Sequence, residues 1–122
     1  DKMRSHNGQP DIIYELYQIR RDLDCDYRFA SYAFAKDRLR AKDYSRVYTG
    51  RMENGMGLDD VYMLHNLDDR PLSHKIHSLS MSDVIILHDD EKRKAYYVDT
   101  IGFQEIPEFI RQLDQIRKDK ER

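Results

Sequence analysis

Residues Val84-Ile85-Ile86-Leu87 form an unbroken apolar run in a chain in which 36% of residues are charged. A strand with one wet face alternates apolar and polar side chains. An unbroken run is what a strand buried on both faces needs. This run is the fixed point around which the rest of the chain is read.

The core available to cover it is thin. Leu, Ile, Val and Phe make up about 23% of 122 residues, just above the range typical of disordered chains. Nine Tyr and four Phe supply most of the remaining core volume. The length suits one domain. Lys plus Arg (21) nearly cancel Asp plus Glu (23), for a net charge of −2. An electrostatic nucleic-acid binder usually carries a basic excess, so that class is possible but not favoured. Cys25 is the single cysteine, which excludes an internal disulfide and a CxxC metal or redox motif. No apolar run approaches the ~18 residues of a membrane span. Asp1–Pro10 lacks the apolar core of a secretion signal. A cytoplasmic protein is therefore expected, and the initial Asp fits either a trimmed chain or a domain cut from a larger protein.

Residues 1–11, with Asn7-Gly8 and Pro10, read as a flexible arm. Ile12–Ile19 is β-branched and aromatic, and reads as a strand. Phe29–Leu39 has helical spacing, with a stripe of Phe29, Tyr32, Ala33 and Lys36; Ser31 falls inside that pattern and is a poor cap. Arg46–Gly50 reads as a short strand. Leu58, Val61, Tyr62 and His65 recur at helical spacing behind Asp59 and Asp60, which suit a helix start. Asp68-Asp69-Arg70-Pro71 ends that helix. After Val84–Leu87, residues His88–Lys94 read as a charged hairpin tip, and Ala95–Ile101 as the returning strand. Gly102–Ile106 extends or bends it. Pro107 suits the first turn of a last helix with a stripe of Ile106, Phe109, Ile110, Leu113 and Ile116 or Arg117. Residues 118–122 are expected to fray, leaving a single domain over 12–117. The order is β-α-β-α-β-β-α, which is an α+β fold with a small, mainly antiparallel sheet and helices packed on it.

Few side chains suggest chemistry. His74 and His77 are spaced HxxH, a weak metal signal without cysteine or a HExxH helix. Ser78, Ser80 and Ser82 beside His77 and Asp83 are too close in sequence to converge as a triad, and no GxSxG elbow is present. Ser82-Asp83 reads instead as a turn whose side chains tie the backbone down before Val84. Asp24 and Asp26 flank Cys25 and disfavour a thiolate. The acidic pairs Asp59/Asp60, Asp68/Asp69 and Asp89/Asp90 each have a local explanation as helix start, turn or hairpin tip. No catalytic, cofactor-binding or metal-binding residues are assigned, and no cofactor is expected.

The tyrosines say more. Tyr14 and Tyr17 point to opposite faces of one strand, and Tyr96 and Tyr97 to opposite faces of another. If one sheet face is free, Tyr14, Tyr17, Arg20, Arg46, Tyr48, Arg51, Tyr96 and Tyr97 form a candidate partner surface, since Tyr and Arg dominate interface hot spots and single-strand stacking platforms. If helices cover both faces, the same tyrosines are amphipathic edges of the core.

Several stretches resemble one family. Ile13–Arg21 is similar to its opening strand, Tyr27-Arg28-Phe29-Ala30-Ser31-Tyr32 to its YRFxSY helix start, and Val47-Tyr48-Thr49-Gly50 to its second strand. His77–Val84 resembles its HSLSxSDV signature, and Tyr97–Phe103 its YVDxxGF signature. These are features of YodL-like domains, in the expected order over roughly Ile12 to Phe109. The resemblance implies a domain found alone or inside large proteins on conjugative elements and phages. It carries no catalytic residues over. Ser82, Asp83, Asp99 and Gly102 read as structural turns of the signature.

The expected function is therefore that of a non-enzymatic accessory domain of a mobile genetic element. Its partner is a host protein of unknown identity, with host defence (restriction or CRISPR) or the host cytoskeleton as target classes. The alternative is a nucleic-acid-binding module of PUA/ASCH-like type. Leu79–Ile85 echoes the LxxGDxI strand entry of such domains, with Ser82 in the place of Gly. An enzyme built on His77, Asp83 and Asp99 is the third reading. The last strand or the C-terminal stripe offers an edge for a homodimer.

Overall fold

The computed structural model describes residues 12–53, 55–73, 75–89 and 92–121. The arm over 1–11, His74 and the centre of the hairpin tip lie outside the described residues. Strand β1 (Ile12–Ile19) is followed by a four-residue helix α1 (Tyr32–Ala35), a 3-10 turn (Ala41–Asp43) and strand β2 (Tyr44–Met52). Helix α2 (Leu58–Leu64), strands β3 (Val84–Asp89), β4 (Lys92–Val98) and β5 (Phe103–Glu105), and helix α3 (Pro107–Glu121) complete the chain. The strands form one sheet in the order β2-β1-β3-β4-β5, with every neighbouring pair antiparallel. The fold class is α+β.

The apolar run occupies the centre of the sheet. Val84, Ile85 and Ile86 are all buried, and they divide between two cores by the strand's period of two. Val84 and Ile86 join Ile19, Tyr44, Ala95 and Tyr97 beneath Ile106 and Phe109 of the α3 region. Ile85 joins Tyr14, Leu16 and Val98 beneath Val61 of α2 and Leu79. Cover on both faces settles the tyrosine question. Tyr14 and Tyr97 are core residues of opposite faces, not surface. Tyr17 lies half-buried, its ring edge-on to Phe109.

The structure departs from expectation at several points. The first helix does not begin at Phe29, because Phe29 has a left-handed backbone (φ 64°) that no α-helix contains. Ser31 is in fact its N-cap, extended in backbone and accepting from Phe34 N–H. The buried side chain there is Ala35, with Leu39 beyond the helix, and not the Phe29/Ala33/Lys36 stripe. The second helix ends at Leu64 with His65 as its C-cap, before the Asp-rich turn. The hairpin is tighter than the charge suggested. Asp89 pairs with Lys92, so His88, Arg93 and Lys94 belong to strands. Finally, the segment after Val98 turns back as a separate strand, β5, and α3 keeps helical geometry through Glu121, into the 118–122 tail expected to fray.

At the start of α2 the Asp60 carboxylate accepts the Gly57 N–H at 2.8 Å, and Asp59 and Asp60 face the positive end of the helix dipole. Pro107 opens α3, as its fixed φ and missing donor favour.

Candidate functional site

The residues of the three signatures meet at one end of the sheet, where β1 ends and β3 begins. Asp83 is buried and leads into β3. Its Oδ2 accepts Ser80 N–H at 2.9 Å and the Gln18 side-chain amide at 3.2 Å. The same Gln18 amide nitrogen donates to His77 O at 3.1 Å and lies 3.2 Å from His77 Nδ1. Burial outweighs these hydrogen bonds and pushes the Asp83 carboxyl up to about 7. Gln18 thus clamps the approach loop (residues 77–83) to β1.

Ser82 is the second anchor. It is buried and left-handed (φ 84°). Its N–H donates to Val98 O at 3.0 Å, its Oγ accepts Phe29 N–H at 3.0 Å, and its carbonyl accepts the Tyr44 hydroxyl at 2.6 Å. Tyr44 is wholly committed to this bond, and burial drives its hydroxyl far above the usual tyrosine range. Tyr97 donates to Ala30 O at 2.7 Å.

Asp99 is the third. Its Oδ1 accepts Tyr32 N–H at 2.9 Å and Thr100 N–H at 2.7 Å, and its own N–H donates to Gly102 O at 3.1 Å. Gly102 supplies the positive φ (76°) that this turn needs. Ser82 and Asp99 therefore fasten the 27–32 loop to the sheet at two points. Phe29 and Ile101 stand out from loops held in this way, 56% and 90% exposed. Phe34, also exposed, carries Arg38 over its ring at 3.9 Å.

Of the residues proposed for an enzyme, His77 and Asp83 share a hydrogen-bond partner that Asp99 does not. Gln18 links His77 with Asp83, but Asp99 points to the backbone of Tyr32 and Thr100. Asp99 also lines a pocket of about 180 Å³ with Tyr62 and Phe103, which neither His77 nor Asp83 borders. Among the described residues no group of three His, Cys, Asp or Glu is placed to hold a metal ion.

The Tyr/Arg set is dispersed. Tyr14 leans over Gly50, its partner in β2, and its hydroxyl lies 2.9 Å from His65 Nε2. Tyr48 packs its ring edge against the same histidine. Tyr97 is buried on the other face. Arg20 is exposed but bonded to Lys42 O, and Arg46 pairs with Glu15 at 3.1 Å. Arg51 is exposed on β2 opposite Ile13, and Tyr96 is half-buried on β4 between Ile85 and Glu105. These side chains do not make one surface.

Gln18, Tyr44 and His65 were not singled out as anchors by sequence reasoning. Gln18 is the one with a local signal: it is polar at a position of β1 where alternation calls for an apolar side chain.

A protein-family model described as YodL-like domain matches residues 13–109. The chain belongs to the YodL-like domain family. Each of the three signatures named above lies within the matched span, and each contributes an anchor or an exposed ring of the YodL-like domain's loop cluster. No curated protein and no solved structure matches it significantly. No helix is long and apolar enough to cross a membrane among the described residues.

Proposed function

We propose that this YodL-like domain is a non-enzymatic binding module, an accessory of a mobile genetic element that docks on a host protein and blocks it. A restriction or CRISPR component is the target class. The observation that carries this reading is the exposure of Phe29 and Ile101 on loops pinned by part-buried hydrogen bonds that the Ser82 and Asp99 side chains accept. Single exposed apolar residues are ordinary. Here, however, a bulky residue is held in a left-handed conformation that costs roughly 1–2 kcal/mol, and such strain persists where its surroundings over-determine it, typically at binding sites. A loop fixed before it meets a partner loses little entropy on binding. Aromatic and aliphatic side chains presented in this way serve as anchors.

Affinity capture from host lysate, with the intact domain beside a Phe29→Ser/Ile101→Ser variant, tests this reading. The genes that neighbour the domain's own test its mobile-element setting.

The nucleic-acid reading draws support from one feature. Ser82 adopts the backbone conformation for which Gly is usual in the LxxGDxI strand entry. The balanced charge of the chain and the linear strand order from β2 to β5 favour the protein-binding reading over it.

A further inference from the structure

The other end of the same sheet holds a pocket that the loop cluster does not involve. It has a volume of about 230 Å³ and lies between the sheet and the last turns of α3. Its floor is Glu15, Tyr17, Ile86 and His88, and its wall includes Arg46 and Arg93. Leu113 and Ile116 close one side. The helical stripe that packs Phe109, Ile110, Leu113 and Ile116 on the sheet continues, by its spacing of three and four, at Arg117 and Lys120. Two cations therefore roof the pocket from the last turns of α3, where they also complement the negative end of the helix dipole.

The charges inside do not cancel. Glu15 is answered by Arg46 at 3.1 Å, with His88 Nε2 lying 3.1 Å from its other oxygen, and Arg93 is answered by Asp114 at 2.7 Å. Among the side chains that the structure describes, a set that ends at Lys120, neither Arg117 nor Lys120 has a carboxylate within ion-pair distance. Arg46, Arg93, Arg117 and Lys120 against Glu15 and Asp114 leave an excess of two positive charges in a chain whose net charge is −2. The Tyr17 hydroxyl, 3.4 Å from Glu15, adds a polar group at the floor.

We propose that this pocket binds the terminal phosphate of a small phosphate monoester. Guanidinium and ammonium groups brought together from two strands and a helix suit a tetrahedral dianion, which arginine recognises through paired N–H bonds. The volume is below that of sites for drug-sized ligands, so the pocket takes a headgroup and leaves the rest of the ligand outside. A nucleic-acid backbone fits less well. It tracks open grooves, and its phosphodiesters carry one charge each where the pocket offers two.

The test is titration of the intact domain with inorganic phosphate, followed by amide NMR shifts, against sodium chloride at matched ionic strength. Glycerol 3-phosphate and a short single-stranded oligonucleotide without terminal phosphate form two further arms. The proposal expects saturable shifts at residues 15–17, 86–88 and 117 with phosphate and with the monoester. An Arg117→Gln/Lys120→Gln variant, altered only on the helix surface, should bind both about tenfold more weakly or worse, with an unchanged melting temperature without ligand. Shifts that follow chloride equally, or binding unchanged in the variant, overturn it. So does an oligonucleotide that displaces phosphate at lower concentration than the monoester, which would make the pocket a backbone contact.

Discussion

The backbone N–H of Phe29 donates to the Ser82 side-chain oxygen at 3.0 Å, and both residues are left-handed, with φ of 64° and 84°. One hydrogen bond thus joins two non-glycine residues in a conformation that glycine normally supplies. The bond ties the turn before the central strand to the loop that exposes Phe29.

Ser82 should therefore respond unusually to small substitutions. Ser82→Ala removes the acceptor for Phe29 and keeps the backbone strain. Ser82→Gly removes the same acceptor and relieves the strain. Glycine should be the more stable of the two by about 1 kcal/mol, reversing the usual order of the pair. Urea denaturation midpoints at equal m-values measure this, and alanine equal to or better than glycine would contradict the left-handed assignment.

Asp83 predicts a pH dependence of defined sign. Its carboxyl is pushed up to about 7, first by burial, against the lowering effect of Ser80 N–H, Gln18 and the Arg28 charge. The folded state then holds a proton that the unfolded chain, with an ordinary aspartate, has already lost. Stability contributed by this residue is full below the ordinary aspartate range. It falls by up to about 1.4 kcal/mol per pH unit as pH rises toward 7, and is level above it. The stability difference between the intact domain and Asp83→Asn, followed by denaturant melts from pH 4 to 8, should show that fall. A difference that is flat, or that rises with pH, would show that the carboxyl is not raised.

Tyr14 and Gly50 predict a packing effect. A Cβ built on Gly50 would stand 2.7 Å from the Tyr14 ring, which is buried and cannot swing away without losing its hydroxyl contact with His65. Gly50→Ala should cost about 1–3 kcal/mol by overpacking. Tyr14→Phe should cost a similar ~1–3 kcal/mol, because both His65 ring nitrogens would then lack a partner, Nδ1 having none among the described residues. Thermal unfolding of both variants checks these values, and a neutral Gly50→Ala would place the ring elsewhere.

Much of the fold was legible where the signal is local. The apolar run of β3, the strand at Ile12–Ile19, the Pro107 helix start and the acidic start of α2 depend on a few neighbouring residues. Ser82-Asp83 was readable as a turn because polar side chains before a buried strand have few other uses. What was not legible depended on distant partners. The sign of φ at Phe29 follows from an acceptor 53 residues away, which is why helical spacing misled there. Whether Tyr14 and Tyr97 were surface or core depended on α2 and α3 covering opposite faces, which no strand's own pattern reveals. Tightness of the 89–92 hairpin was hidden because charged residues at a strand end look like those of a loop.

The most direct measurement of the central claim is affinity capture from host lysate by the intact domain and by the Phe29→Ser/Ile101→Ser variant in parallel. Both side chains are exposed, so the variant should melt close to the intact domain, within the ±0.5 kcal/mol usual for surface changes. The account predicts one host protein retained in stoichiometric amount by the intact domain and lost by the variant. Retention of the same protein by both, or no specific protein retained by the intact domain, would contradict it.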